Sequence, residues 1–178
     1  GALAVGMDID HAFDRRGDYD RVEGFEMRPK SMEEIGEFVR AARVPFVVKG
    51  VLSQKDAYMA LEAGAGGIVV SHHHGMMDYA VPPLMILPDI LKVTGGRIPV
   101  FVDCGIVSGA DVFKALALGA SAVCVGRGLL KPLADQGAEG VSEEINRIND
   151  ELKGIMARTG CFDLSHMDKT VIRRTQGN

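Results

Sequence analysis

The chain has 178 residues, of which 47% are hydrophobic, and its formal net charge is −4 at pH 7. This length is enough for one globular domain with a buried core. The mild acidity argues against nucleic acid or an anionic membrane surface as a partner. No apolar stretch reaches the roughly 18 to 20 residues that a membrane helix needs, and we expect no signal peptide.

The chain has three cysteines, and they are far apart in the sequence. An odd number at wide spacing argues against a disulfide framework and favours a reducing compartment, so we expect the protein to be cytoplasmic. Cys104 and Cys124 lie in apolar runs and are predicted to be small buried hydrophobic residues.

Short β-rich runs alternate with longer helical patterns along the chain. The predicted strands cover residues 3–9, 45–51, 66–71, 98–105 and 122–127, and the predicted helices cover residues 30–43, 54–65, 82–94, 110–120 and 139–160. The strands are continuous Val/Ile runs, which indicates a parallel α/β sheet covered by helices on both faces. We place residues 1–165 in this domain, with a loop at residues 10–29 and a polar tail at residues 166–178.

Two strand–helix units repeat each other when residue n is aligned with residue n+55. The matching pairs are Ser53 and Ser108, Asp56 and Asp111, and Gly64 and Gly119. Ser53 is the predicted N-cap of the first helix, and Ser108 or Gly109 opens the second. In each unit the glycine follows the last turn of the helix. Repeated βα units are how a (β/α)8 barrel is built, and a doubly wound sheet is the alternative.

Polar or glycine residues lie at the carboxyl end of every predicted strand, directly after its apolar run. They are Asp8 and Asp10, Lys49, Ser71 with His72, His73 and His74, Asp103 with Gly105, and Gly126 with Arg127. In a barrel, the chemistry takes place at these carboxyl ends of the strands.

The last two strand ends have the composition of a phosphate site. Backbone N–H groups can approach a phosphate at Gly105 and Gly126 because no Cβ intervenes, and Arg127 can bind it bidentately. The alternative is that the two glycines only make tight turns.

Lys49 and the three histidines allow several interpretations. A lysine at the mouth of a buried strand can form a Schiff base, can lie beside an anionic cofactor, or can extend its ammonium to solvent. His72 and His74 could bind a metal ion in a non-catalytic module, or one histidine could transfer protons beside a carboxylate such as Asp8. A solvated loop is the third possibility.

Several of these segments together resemble a known family. They are "VVKGV" (47–51), "GIVVSHHHG" (67–75), "IPVFVDCGI" (98–106) and "AVCVGR" (122–127). In order and spacing they resemble the second half of the FMN-dependent α-hydroxy-acid oxidases and dehydrogenases, the family of glycolate oxidase and L-lactate oxidase. The resemblance covers about residues 3–165. It implies a (β/α)8 TIM barrel of which this chain forms about strands four to eight, with FMN as cofactor.

The resemblance also implies the roles of individual residues. His73 matches the base that takes a proton from a 2-hydroxy acid such as lactate or glycolate, which becomes the 2-oxo acid. Asp8 matches the carboxylate that pairs with this histidine, and Lys49 matches the cation at the N1 edge of the flavin. The other implied cofactor-binding residues are Ser71, Asp103, Gly105, Gly126 and Arg127.

The loop after the third strand departs from the family pattern. Met76 stands where the family has an arginine that binds the substrate carboxylate. Counting from the strand makes His73 the base, whereas matching the His-Gly dipeptide of the family makes His74 the base. Arg15 lies near a second family arginine for the substrate carboxylate. The resemblance therefore supports flavin binding more strongly than the substrate.

Alternatives remain at the level of function. Another FMN-binding barrel, such as an isomerase or a different dehydrogenase, would use a substrate other than a hydroxy acid, and an inactive barrel fragment is possible as well. The expected partners are a small-molecule substrate and either a second copy of the chain or the N-terminal half of the barrel. We expect no metal, nucleic acid or membrane partner.

Overall fold

A computed structural model of the chain describes residues 1–10, 18–73 and 79–173. In chain order the elements are β1 (Val5–Asp8), β2 (Arg21–Val22), β3 (Phe25–Glu26), α1 (Met32–Ala41), β4 (Phe46–Val51), α2 (Gln54–Glu62), β5 (Gly67–Val70), α3 (Pro83–Thr94), β6 (Val100–Val102), α4 (Gly109–Ala117), β7 (Ala122–Val123) and α5 (Leu130–Thr159). Short 3-10 turns cover Arg127–Leu129 and Lys169–Val171. Each of the five predicted strands and five predicted helices has a counterpart. Within the described ranges, no helix is both long and apolar enough to cross a membrane.

Two elements differ from the sequence prediction. The segment predicted as a loop contains the antiparallel hairpin of β2 and β3. Its turn residues Glu23 and Gly24 both have positive φ angles, of 50° and 85°, as a tight two-residue hairpin turn requires. Helix α5 begins at Leu130 rather than at residue 139, and it is broken at Gly137, where φ is 64° and ψ is −141°.

The chain forms two compact units, Gly1–Cys104 and Gly105–Asn178. In the first unit, β1, β4, β5 and β6 lie side by side in a parallel sheet. Every residue of β5 is buried, which confirms that this strand is covered on both faces. Strand β1 is less well covered than β5. Among the described residues it has a sheet neighbour on one side only, and Val5 at its start is exposed.

The second unit contains β7, α4 and α5. Its buried core cluster consists of Ile106, Val112, Phe113, Ala117, Ile148, Leu152, Met156 and Cys161. Met167 and Ile172, from the segment predicted as a polar tail, pack against this cluster and are partly buried. Part of that segment therefore belongs to the packed unit.

The predicted sequence repeat is also a structural repeat. Ser53 Oγ accepts a hydrogen bond from Asp56 N at 3.0 Å and donates one to Asp56 Oδ2 at 2.7 Å. Ser108 and Asp111 make the same two contacts at 3.2 and 2.7 Å. The φ angles of the two serines are −139° and −142°. Both caps fix the point where the chain leaves the strand and turns into the helix.

Gly109 is predicted to be essential for packing in the second unit. A Cβ at this position would overlap the backbone of Leu152 and the side chain of Glu151 on α5. Gly109→Ala is therefore expected to lower the free energy of unfolding by about 1–3 kcal/mol, measured by urea denaturation.

Gly154→Ala is the matched control in the same helix pair. Its new Cβ would meet only the flexible end of Arg158, at 3.1 Å. Because alanine is more favourable than glycine inside a helix by up to about 1 kcal/mol, Gly154→Ala should leave the free energy of unfolding unchanged or raise it. Equal destabilisation by both substitutions would contradict the proposed close contact at Gly109.

Candidate active site

The carboxyl ends of four parallel strands bring polar side chains together in the first unit. Asp8 is the last residue of β1 and lies beside Lys49 of β4 in the sheet register. Ser71 directly follows β5, and Asp103 directly follows β6. Parallel strands end at the same edge of a sheet, so these side chains face a common region, as predicted.

Lys49 is at the centre of this group. Its Nζ lies 2.7 Å from Asp8 Oδ1 and 3.8 Å from Asp103 Oδ2. Burial alone would lower the pKa of Lys49. The hydrogen bond and charge of Asp8, with the charges of Asp103 and Asp10, outweigh burial and raise the pKa of Lys49 above its usual value. The side chain is therefore a fixed cation at neutral pH.

His73 is held by two contacts at its ring and backbone. Its Nδ1 lies 3.0 Å from Asp10 Oδ1, and its backbone N–H donates to Ser71 Oγ at 3.2 Å. The distance from Nδ1 to Asp8 Oδ1 is 3.9 Å, which is too long for a hydrogen bond. Asp10 is therefore the hydrogen-bond partner of His73, while the predicted partner Asp8 lies at the longer distance of an ion pair.

Asp10 is the residue whose importance the sequence analysis missed. The sequence contains an indication of its role. Asp8 and Asp10 are two residues apart, and side chains at that spacing on an extended backbone point to the same side. Which of the two carboxylates reaches His73 depends on the backbone after β1, and the sequence pattern does not specify that conformation.

Cys104 lies beside this group, contrary to the prediction that it is a buried apolar residue. Its thiol donates to Asp103 Oδ1 at 2.9 Å and lies 3.5 Å from the hydroxyl of the fully buried Ser71. Burial, together with the hydrogen bond to Asp103, raises the pKa of the Cys104 thiol. Cys124, which directly follows β7, was also predicted to be buried and is exposed.

Asp8 and Lys49 line a cleft of about 240 Å³ in the first unit. Its other lining residues are Gly6, Met7, Val47 and Val69. The lining of the cleft is apolar along the strands and charged where the strands end. This combination suits a ligand with an apolar ring and a polar edge.

The second unit carries the predicted phosphate-binding residues. At Gly105 and Gly126, no atom of the described residues beyond the immediate chain neighbours lies within 4 Å of the position that a Cβ would occupy, so the backbone there has room for a ligand. Gly105 has a φ angle of 87°, which favours glycine. Arg127 is exposed and begins the short turn that leads into α5. These residues could hold a phosphate group.

A metal ion is a weaker interpretation of the charged group. Single ligand atoms of Asp8, Asp10 and His73 lie within 4.8 Å of one another. The Lys49 ammonium lies 2.7 Å from Asp8 Oδ1 and 3.3 Å from His73 Nδ1, so a cation would meet a positive charge in the same place. The predicted candidates Arg15 and His74, together with Met76, lie outside the described residues.

In enzymes with a (β/α)8 barrel, the active site lies at the carboxyl ends of the strands, where these charged side chains are found. The family model of FMN-dependent dehydrogenases matches residues 7–174. The chain belongs to this family, which confirms FMN as the predicted cofactor.

The chain is similar to named members of the family. It is 44% identical over 149 residues to the L-lactate oxidase of Lactobacillus jensenii, covering 82% of this chain and 36% of that protein. It is 39% identical over 146 residues to the glycolate oxidase of Spinacia oleracea, covering 82% of this chain and 40% of that protein. The chain thus spans well under half the length of these curated relatives.

Solved structures agree with the fold. A mandelate oxidase variant with the monooxide FMN adduct has a TM-score of 0.84 and is 37% identical, covering 95% of this chain and 54% of that one. The structure of mandelate oxidase itself has a TM-score of 0.83 at 34% identity. The predicted fold class, part of a (β/α)8 barrel, is confirmed.

The raised pKa of Cys104 leads to a prediction about thiol reactivity. The thiolate is the reactive form, and each pKa unit reduces its fraction about tenfold at neutral pH. Iodoacetamide should therefore modify the exposed Cys124 before Cys104 in protein without added FMN. The rate at Cys104 should keep rising to a higher pH than for an ordinary thiol, as measured by peptide mass spectrometry.

Asp103→Asn should accelerate the modification of Cys104, because it removes a negative charge that raises the pKa of the thiol. The rate at Cys124 in the same sample is the internal control. An unchanged rate at Cys104 together with an unchanged rate at Cys124 would contradict the role of Asp103.

Proposed function

We propose that this chain is part of an FMN-dependent enzyme that oxidises a 2-hydroxy acid, such as lactate or glycolate, to the 2-oxo acid. The observation that carries this proposal is the group at the strand ends, in which Lys49 pairs with Asp8 at 2.7 Å and His73 contacts Asp10 at 3.0 Å. A base and a fixed cation are thus held side by side. Relatives named L-lactate oxidase and glycolate oxidase support the substrate class.

The oxidation of a 2-hydroxy acid removes two electrons and two protons. When bound, FMN supplies the electron acceptor. His73 serves as the base: its Nδ1 faces Asp10, so its Nε2, on the opposite side of the ring, is the nitrogen that accepts a proton. The neighbouring carboxylate stabilises the imidazolium that forms.

Lys49 supplies a permanent positive charge in this region. Asp8 fixes the position of the ammonium through a hydrogen bond of 2.7 Å, and the raised pKa keeps it protonated across the neutral range. A fixed cation of this kind stabilises negative charge that develops on a bound cofactor. This is the role that the family resemblance assigns to Lys49 at the flavin N1 edge.

The residues proposed to contact FMN are of two chemical kinds, one found in each unit. In the first, Ser71 and Asp103 provide a hydroxyl and a carboxylate for polar atoms of the cofactor. In the second, the open backbone at Gly105 and Gly126 and the guanidinium of Arg127 suit a phosphate. The chemical character of these groups fits FMN, which combines an apolar ring system with a polar chain and a terminal phosphate.

A second candidate function rests on one sequence feature. Met76 replaces the arginine that in the family binds the substrate carboxylate, and a thioether cannot make that bidentate contact. An FMN-binding barrel that acts on a substrate without a carboxylate is therefore the alternative. In the first candidate, Arg15 is the residue we propose for the substrate carboxylate.

We also propose that the outer edge of β1 is covered in the working protein. Leu3 and Val5 expose apolar surface there, and an open strand edge favours pairing with another strand. The expected partner is another segment of the same barrel or a second copy of the chain.

The proposed function predicts a flavin spectrum and a substrate-dependent bleaching. The full-length protein with FMN should show flavin absorbance, and an anaerobic panel of 2-hydroxy acids should identify one that reduces it. His73→Ala should slow this reduction roughly 10²- to 10⁴-fold, the usual contribution of a general base, while FMN remains bound.

His72→Ala is the matched control, since it removes the neighbouring imidazole. Reduction should then stay within a few-fold of the original rate. A protein that binds FMN but is reduced by no hydroxy acid would favour the second candidate function. A full-length protein that fails to bind FMN would contradict both.

A further inference from the structure

We propose that Asp10, and not Asp8, is the positioning residue for His73, and that Asp8 instead serves Lys49. The pairing is inferred from the geometry alone. Its consequence for catalysis rests on the proposed function, in which His73 is the base.

The distances separate the two carboxylates. His73 Nδ1 lies 3.0 Å from Asp10 Oδ1 but 3.9 Å from Asp8 Oδ1. Asp8 Oδ1 is instead 2.7 Å from Lys49 Nζ. An ionised carboxylate can only accept hydrogen bonds, so the proton of the neutral ring belongs on Nδ1, where it is donated to Asp10. The basic lone pair is then on Nε2.

Lys49 makes this arrangement sensitive to the loss of Asp10. Its Nζ lies 3.3 Å from His73 Nδ1, close enough to donate a hydrogen bond to that nitrogen if it carried a lone pair. With Asp10 in place, Nδ1 is itself a donor and the ammonium is directed to Asp8. Asp10 therefore decides which of the two ring nitrogens carries the proton.

The backbone of β4 is shaped around Asp10. The sheet register shifts between Lys49 and Val51, and Gly50, the residue between them, has a φ angle of 91°. A Cβ at Gly50 would overlap the Asp10 carboxylate, so only glycine leaves room for it. The backbone N–H of Ile9 donates to the Lys49 carbonyl at 2.9 Å and anchors the chain just before Asp10.

The environment of Asp10 also favours a positive partner. Its side chain is 15% exposed, compared with 38% for Asp8. Among the described residues, no donor reaches its buried Oδ2 atom. A carboxylate with an unsatisfied buried oxygen gains more from a nearby cation than an exposed one does. An imidazolium at His73 would provide this cation.

The test is the tautomer of His73 in the full-length protein with FMN bound. Nitrogen NMR of histidine labelled with ¹⁵N in its ring reports which nitrogen is protonated, at a pH where the ring is neutral. The signal is assigned by its loss in His73→Gln. The unsubstituted protein should show the Nδ1–H form.

Asp10→Ala and Asp8→Ala are the matched pair of variants. Asp10→Ala should convert His73 to the Nε2–H form, because Lys49 can then donate to Nδ1, while Asp8→Ala should retain the Nδ1–H form. The opposite result, or no change in either variant, would overturn the proposal. If Asp10→Ala fails to fold by circular dichroism, Asp10→Asn replaces it, and an altered tautomer ratio is expected.

Anaerobic reduction by the hydroxy acid separates this proposal from the proposed function. Asp10→Ala should lower the rate at saturating substrate by about tenfold or more, with KM little changed, because the base lacks its lone pair on Nε2. A changed tautomer with an unchanged rate would preserve the assignment of Asp10 and contradict His73 as the base.

Discussion

The ammonium of Lys49 among carboxylates is the interaction on which the site depends. A cation that is partly withdrawn from water is costly unless opposite charges lie close by. The parallel register between β1 and β4 places Asp8 directly beside Lys49 and meets this requirement. The strand register therefore determines whether the charge of Lys49 is balanced. A shift of the register by one residue would leave the ammonium without its hydrogen-bond acceptor.

Among the described residues, three carboxylates surround this lysine, those of Asp8, Asp10 and Asp103, and their charges act on its ammonium. An imidazolium formed when His73 accepts a proton would lie next to the carboxylate of Asp10. The bulge at Gly50 adds a steric element, because it leaves the space in which Asp10 approaches the imidazole.

Much of the architecture could be predicted from the sequence because its signals are local. Continuous Val/Ile runs mark the buried strands, and the serine caps mark the helix starts. The polar residues after each strand identified Asp8, Lys49, Ser71 and Asp103. The contact between Asp10 and His73 depends instead on a bulge and a positive φ angle in another strand, and no residue pattern encodes these. The β2–β3 hairpin and the early start of α5 were missed for a related reason, since glycines permit several backbone conformations.

The two identical serine–aspartate caps have a consequence for how this fold can diversify. After β4 and β6 the chain turns into a helix within a few residues, and each turn is secured by its own cap. The connections after β1 and β5 are longer, at residues 9–31 and 71–82. Insertions and substitutions can therefore accumulate during evolution in the parts of these two connections that follow Asp10 and His73, changing what the enzyme recognises, while the residues around Lys49 stay in place.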